Sequence, residues 1–240
     1  SLLTGTINNL KLQMMNLMEE NSDRADLYVQ SFINGTDWAD EVKRIDNLGK
    51  ISKQDVIEWA CKYLADNNYA VVYKRQGEDR TVQKVSAPKI TPIKSNRDVQ
   101  SAFLAEIQAV EVEPIEPVYA DFEKDMSIFN VKGVDVLYAQ NKINDVTGIT
   151  IEYNTGTESD PALNLAFDYL SYLGTPTRSA EEIAQQMYQL ACNFGLSSGS
   201  NRTFISIYGL SENMPEAMAI VEDLAYNAVP DEAILANLKA

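Results

Sequence analysis

Residues 161–175 read Pro161-Ala-Leu-Asn-Leu-Ala-Phe-Asp-Tyr-Leu-Ser-Tyr-Leu-Gly-Thr175. Apolar side chains fall on every side of this stretch: Leu163, Leu165, Ala166, Phe167, Tyr169, Leu170, Tyr172 and Leu173. A helix that is apolar all round is buried on most faces, so the pattern predicts a central, buried helix. Asp160 is placed to cap its start, Pro161 fits the first helical position, and Gly174 is available for a left-handed residue at its end. Only Asn164 and Asp168, one turn apart, bring strongly polar side chains into it. A polar pair at that spacing in an oily helix is where a metal or catalytic site would sit. The plainer reading, which we prefer, is that both satisfy local hydrogen bonds at the helix surface.

Working outward, Ile149-Thr-Ile-Glu-Tyr153 before this helix and Thr203–Tyr208 after it alternate as strands do. Val134-Asp-Val-Leu-Tyr138 is a further strand, joined to the first by a turn region at Asn141-Lys-Ile-Asn144. A helix is expected over Ala180–Cys192, with Ile183, Met187 and Leu190 in register and Gly195 as its end. Another follows around Pro215–Ala228. Ser197-Ser-Gly-Ser200 carries no phosphate-binding signature and reads as a loop leading into a strand. The order of elements predicts an α+β fold, with helices packed on a mainly antiparallel sheet.

Towards the N-terminus the chain is helical. Leu3, Ile7, Leu10, Met14 and Leu17 form one stripe of an amphipathic helix. A second helix opens at Ser22 or Asp23, carries Ala25, Tyr28, Val29 and Phe32 on one face, and closes at Asn34-Gly35. A third, capped by Thr36, turns Trp38, Val42 and Ile45 inward. Ser52 with Asp55 three residues on marks a fourth, stapled by Ile51 and Val56. Asp66-Asn-Asn68 then turns the chain into a strand at Tyr69-Ala-Val-Val-Tyr73. Residues 77–121 read as a connector, broken by Pro88, Pro92, Pro114 and Pro117, with one helix near Arg97–Ala109.

The chain has 240 residues, a net charge of −15 and 45% hydrophobic residues. That charge argues against nucleic acid and anionic membrane surfaces as partners, and no apolar run approaches the ~20 residues of a membrane span. Cys61 and Cys192 are far apart and outside any Cys-x-x-Cys pair, and both are expected to be small buried hydrophobes. There is no histidine. Histidine is the commonest metal ligand and the commonest general base near neutral pH, so this chain alone builds no His-based site. The sequons at Asn34-Gly-Thr36 and Asn201-Arg-Thr203 are of a kind common by chance and carry no weight here.

The stretch from 147 onwards resembles the insulinase or pitrilysin family of zinc metallopeptidases, which carry an inverted zinc motif. The resemblance lies in a helix ending Leu173-Gly-Thr175, then Ser179-Ala-Glu-Glu-Ile183, Asn193-Phe-Gly195, a small polar run, a strand, and Glu216-Ala-Met-Ala-Ile-Val-Glu-Asp-Leu224. Ser52-Lys-Gln-Asp55 and Tyr69-Ala-Val-Val-Tyr-Lys-Arg75 resemble the last helix and strand of the preceding domain in that family. The resemblance implies an insulinase-like peptidase fold in two truncated domains. Residues 1–76 would end one domain, 77–121 would link the halves, and 122–240 would begin an inactive peptidase-like domain.

Active members of the family carry His-x-x-Glu-His on the buried helix, ending five residues before the glycine. The two His hold zinc and the Glu activates water. The matching positions are Leu165, Asp168 and Tyr169. Leucine binds no metal, tyrosine is a poor ligand at neutral pH, and Asp168 retains only a shorter carboxylate. The family's third ligand, a downstream Glu, would fall beyond Ala240. The resemblance therefore implies a non-catalytic half, with no catalytic residue, metal or cofactor in this chain. Zinc is expected in the catalytic half of the parent protein. The implied partners are that zinc-bearing half, in the same or a neighbouring protein, and a peptide substrate enclosed between the two. The alternative is a structural or assembly subunit of the same fold with no part in proteolysis. The expected location is extracytoplasmic in a bacterium.

Overall fold

A computed structural model describes residues 2–65, 67–74, 76–77, 83, 85–93 and 99–239. In chain order its elements are α1 (Leu2–Leu17), α2 (Asn21–Asn34), α3 (Trp38–Val42), α4 (Arg44–Leu48), α5 (Lys53–Tyr63), α6 (Ala102–Gln108), α7 (Phe122–Asp125), β1 (Ser127–Val131), β2 (Val134–Tyr138), β3 (Val146–Tyr153), α8 (Leu163–Leu170), α9 (Ala180–Leu190), β4 (Cys192–Ser198), β5 (Thr203–Leu210), α10 (Met214–Asn227) and α11 (Glu232–Leu238), with a short 3₁₀ turn at Ser211–Asn213. The architecture is α+β with antiparallel sheets. Its contacts divide the chain into two units: residues 1–65 with 140–240, and residues 66–139.

In the first unit a three-stranded sheet runs in the order β3-β5-β4, with β5 antiparallel to both neighbours. Ile149 pairs with Ile207, and Ile151 with Ile205. Every second residue of β5, Thr203, Ile205 and Ile207, is buried. The same face meets Met214, Ala217, Ile220, Val221 and Leu224 of α10, and Ile183 and Met187 of α9. The i, i+3, i+4, i+7 spacing along α10 is what turns one apolar stripe onto the sheet. Ser179 and Glu182 form a reciprocal capping box that starts α9.

Several sequence expectations are corrected. Helix α8 is shorter than expected and is not buried all round. It packs on β4 and α11, with Phe167, Tyr169 and Leu170 against the core, while Asn164, Ala166 and Asp168 are exposed. Asp160 accepts from the Ala162 N–H at 2.9 Å and shapes a turn ahead of the helix instead of capping it. Gly174 is not left-handed. Its need for glycine is close approach, since a Cβ there would lie 2.5 Å from the Arg178 carbonyl oxygen. The end of α9 is made by Ala191, at φ 48°, and Gly195 sits inside β4. Strand β4, β1 and helix α11 are elements that the periodicity did not predict. Thr36 does not cap α3: Asp37 does, accepting from the Ala39 N–H at 2.7 Å. Cys192 is buried, and burial pushes its thiol pKa up, but Cys61 is exposed.

The predicted stripe of α1 is half-buried except at Leu10, but it is not the face that meets α9. Helix α1 packs on α9 through Gly5, Asn8, Asn9 and Leu12. A Cβ on Gly5 would stand 3.0 Å from the Gln189 Cα, so glycine is what lets the two backbones meet. Asn9 donates to the Tyr188 carbonyl at 2.7 Å and Asn8 to the Gln189 carbonyl at 3.0 Å. Both carbonyls lie in the last turn of α9, where acceptors run short of intrahelical donors; that of Tyr188 also accepts from the Ala191 N–H at 3.1 Å.

The second unit holds a two-stranded antiparallel hairpin, β1-β2, and α6, capped by Ser101, which accepts from the Leu104 N–H at 3.1 Å. Val99, Phe103 and Ile107, the expected face of this helix, are exposed. Residues 69–73 form no strand and belong to neither sheet. Strand propensity alone does not form a strand without a ladder. Asp66, Arg75 and Arg97, named in the sequence reading, lie outside the described residues.

Leu224, 2% exposed, sits where the α10 stripe meets the sheet. Leu224→Ala is expected to lower stability by ~2–5 kcal/mol in urea denaturation, and Phe167→Ala, at a half-buried position, by less than the ~3–5 kcal/mol of a fully buried phenylalanine.

Candidate functional site

The three motif positions lie on α8, which a turn at Asp160 starts and a tightened turn through Tyr172 and Leu173 ends. The Tyr172 N–H donates to the Tyr169 carbonyl at 3.0 Å, and the Leu173 N–H to the Leu170 carbonyl at 3.2 Å. Leu165 and Tyr169, one turn apart, are half-buried, and Asn164 and Asp168 share the exposed side. The main-chain carbonyl of Asp168 accepts from the Ser171 hydroxyl at 2.6 Å.

Tyr169 has an occupation of its own. Its hydroxyl donates to the Asp231 carbonyl at 2.9 Å and accepts from the Asp231 N–H at 2.6 Å. The Asp231 carboxylate in turn accepts from the Ala233 and Ile234 N–H groups at 2.8 and 3.0 Å, which caps α11. One phenol thus ties the last turn of α8 to the N-cap of α11. This donor set does not fit zinc: an aliphatic side chain, a solvent-facing carboxylate and a hydroxyl already engaged on both sides. Among the described residues no group of three or more His, Cys, Asp or Glu is arranged to hold a metal ion.

Beyond α8, the loop through Thr175, Thr177 and Arg178 converges on Asp223 of α10. Its Oδ2 accepts from the Thr175 hydroxyl at 3.0 Å and from Arg178 Nη1 at 2.8 Å, with the Thr177 hydroxyl at 3.4 Å. Its Oδ1 accepts from the Asn227 amide at 2.9 Å. Arg178 is held in turn by Gln186 Oε1, at 3.0 Å from its Nε. The Asn227 amide is the largest influence holding the Asp223 carboxyl below its ordinary pKa. Burial opposes it, and Thr175, the Arg178 charge and Thr177 add to it. Beside this network an open groove of about 730 Å3 runs between the loop and the start of α11, past Pro176, Val229 and Ile234. The sequence reading missed both the Asp223 network and the Tyr169 tie. The only local signals were the i, i+4 pair Asp223–Asn227 and the Pro230-Asp231 helix start.

No family model matches the chain. Over 95 residues it is 27% identical to an uncharacterized zinc protease of Rickettsia felis, a match covering 40% of this chain and 23% of that protein. The chain resembles the insulinase-like zinc peptidases. It spans about a quarter of the length of that curated relative. Among solved structures, a peptidase M16 inactive domain from Pseudomonas fluorescens overlaps 48% of this chain and 29% of its own, at 17% identity and a TM-score of 0.43. The periplasmic protease PqqL from Escherichia coli overlaps 81% of this chain and 20% of its own, at 13% identity and a TM-score of 0.44. The ferredoxin protease FusC, solved with Arabidopsis ferredoxin, overlaps 92% and 27%, at 11% identity and a TM-score of 0.43. Overlaps this loose do not align side chains. No helix among the described residues is long and apolar enough to cross a membrane.

Tyr169→Phe removes both bonds to Asp231 and is expected to destabilise by about 1–3 kcal/mol, with faster amide exchange at the start of α11. Unchanged exchange there would show that the tie is dispensable. Asp223 gives a pH dependence of definite sign. A carboxyl whose folded pKa lies below its unfolded value stabilises fully above the unfolded pKa, and the contribution is lost as pH falls through the folded one. Wild type is therefore expected to lose stability between about pH 5 and pH 3 more steeply than Asp223→Asn, read as parallel melting curves.

Proposed function

We propose that this chain is part of the non-catalytic half of an insulinase-like zinc peptidase and helps enclose and position a peptide for a zinc-bearing half. The observation that carries this reading is the state of the three motif positions on α8. Leu165 offers no donor, Asp168 faces solvent, and the Tyr169 hydroxyl is spent on the Asp231 backbone. The similarity to a protein named as a zinc protease supports placing the chain beside such chemistry. In this reading residues 1–76 close one domain, 77–121 link the halves and 122–240 open the inactive one, in an extracytoplasmic bacterial protein.

The division of labour follows from what hydrolysis requires. A polarised water and a base come from the zinc-bearing half. Enclosure supplies the rest, because holding a peptide in reacting geometry and excluding bulk water lower the barrier without any chemical group from the enclosing wall. A half with no metal ligands is then under no constraint to keep α8 open at its motif, and Tyr169 is free to serve as a strut.

The test has two arms, both read with a quenched fluorescent peptide. The triple variant Leu165→His, Asp168→Glu, Tyr169→His is expected to stay inactive with added zinc and to lose stability through the broken Asp231 tie. The zinc-bearing half is expected to need this half for full activity. Peptidase activity of the native chain by itself, or stoichiometric zinc retained through dialysis against a mild chelator, would overturn the non-catalytic assignment. Full activity of the zinc-bearing half alone would remove the enclosing role and leave a structural subunit.

A further inference from the structure

We infer that helix α1 is a releasable strap, which leaves and rejoins the body formed by residues 140–240 while that body stays folded. This does not rest on the peptidase reading. The first observation is where the core lies. The larger apolar cluster, which joins Leu173, α9, β4, β5 and α10, takes no residue from the first 65. Helix α1 reaches only the smaller cluster, where Leu12 meets Val146, Ala191 and Leu210, with Met15 beside it. Its other buried residue is Gly5, which brings no apolar side chain.

The second observation is the chemistry of the seam. Helix α1 is held by polar groups along its length. Besides Asn8 and Asn9 on the end of α9, Thr6 and Tyr188 share a hydrogen bond at 3.1 Å. The Tyr208 hydroxyl donates to Asn16 Oδ1 at 2.7 Å. Lys11 pairs with Glu212 at 3.1 Å, and just past the end of the helix Asn144 donates to Glu19 Oε1 at 2.7 Å. These bonds exchange readily for bonds to water, so their net contribution is small. An exposed ion pair adds little. The carbonyls of Tyr188 and Gln189 are helix-terminal acceptors, which water serves as well as an amide does. Undocking therefore strands no buried polar group. Meanwhile the apolar stripe Leu3, Ile7, Leu10, Met14 and Leu17 faces away from α9; apart from exposed Leu10 it is half-buried, and α1 also touches α4, which is not part of the body formed by residues 140–240.

An element attached through few apolar contacts and many exchangeable polar ones opens at lower free energy than the core it rests on. Glycine sets the docked distance, because α9 comes so near at position 5 that a side chain there would push the helices apart.

Hydrogen exchange of the full chain, followed by mass spectrometry, tests the strap. Peptides from residues 2–17 are expected to exchange at least about tenfold faster than those from β5 and α10. Asn8→Ala with Asn9→Ala is expected to speed exchange in residues 2–17 a further roughly tenfold and to leave β5 and α10 within about twofold. Gly5→Val should do the same by collision. Equal protection of α1 and β5 in the wild type, or variants that accelerate all three regions together, would make α1 part of one cooperative unit and overturn the inference.

Discussion

Strand β5 is the constraint on which the rest of the first unit depends. It is paired on both edges, and its inward residues Thr203, Ile205 and Ile207 are nearly inaccessible to solvent. The other two strands and α10 find their places against it. Helix α10 covers its inner face, α9 and β4 form a helix-to-strand return along one edge, and β3 lies along the other. Thr203 is the polar member of this row, and its hydroxyl is satisfied by the Thr155 carbonyl at 2.7 Å. That bond also anchors the segment leading into α8. The position of the motif helix is thus set by a strand some forty residues away.

This arrangement explains how a helix of such apolar composition sits half in solvent. Helix α8 has two neighbours, β4 and α11, and two neighbours cover about half of a cylinder. Its composition reports what the side chains would accept. The burial they obtain depends on how many elements surround them. The hairpin β1-β2 and the exposed apolar residues of α6 show the same excess of apolar surface in the second unit.

Much of the fold was legible in the sequence wherever one physical signal acted alone. The β-forming runs Ile149–Tyr153 and Thr203–Tyr208 marked β3 and β5, the Ser52–Asp55 box marked α5, and the register of Ile183, Met187 and Leu190 marked α9. The sequence misled where two signals competed. Gly195 read as a helix end and Ser197-Ser-Gly-Ser200 as a loop, yet pairing with β5 makes Cys192–Ser198 a strand. Gly174 carried a helix-end signature, but its backbone is set by contact with Arg178. In α1 the apolar stripe was taken for the docked face, while glycine and asparagine make the one that meets α9. At the candidate site the loss of metal ligands was readable from residue type at Leu165, Asp168 and Tyr169. The tie from Tyr169 to Asp231 was not, because it joins groups 62 positions apart and no local pattern encodes such a distance.

The end of α9 has one more consequence, for the order of assembly. Its last three carbonyls, of Tyr188, Gln189 and Leu190, each accept from an asparagine amide. The one from Asn213 to Leu190 spans 23 residues, but those from Asn8 and Asn9 span 181 and 179. Closing the short loop costs less chain entropy than closing the long ones. During synthesis the Asn8 and Asn9 amides emerge long before their acceptors exist, by roughly 10–35 s at ~5–20 residues per second. Through that interval α1 has its own turns and α4 to meet, but not the α9 surface on which it finally docks. A helix made well before α9 thus docks on it only after the long loop closes.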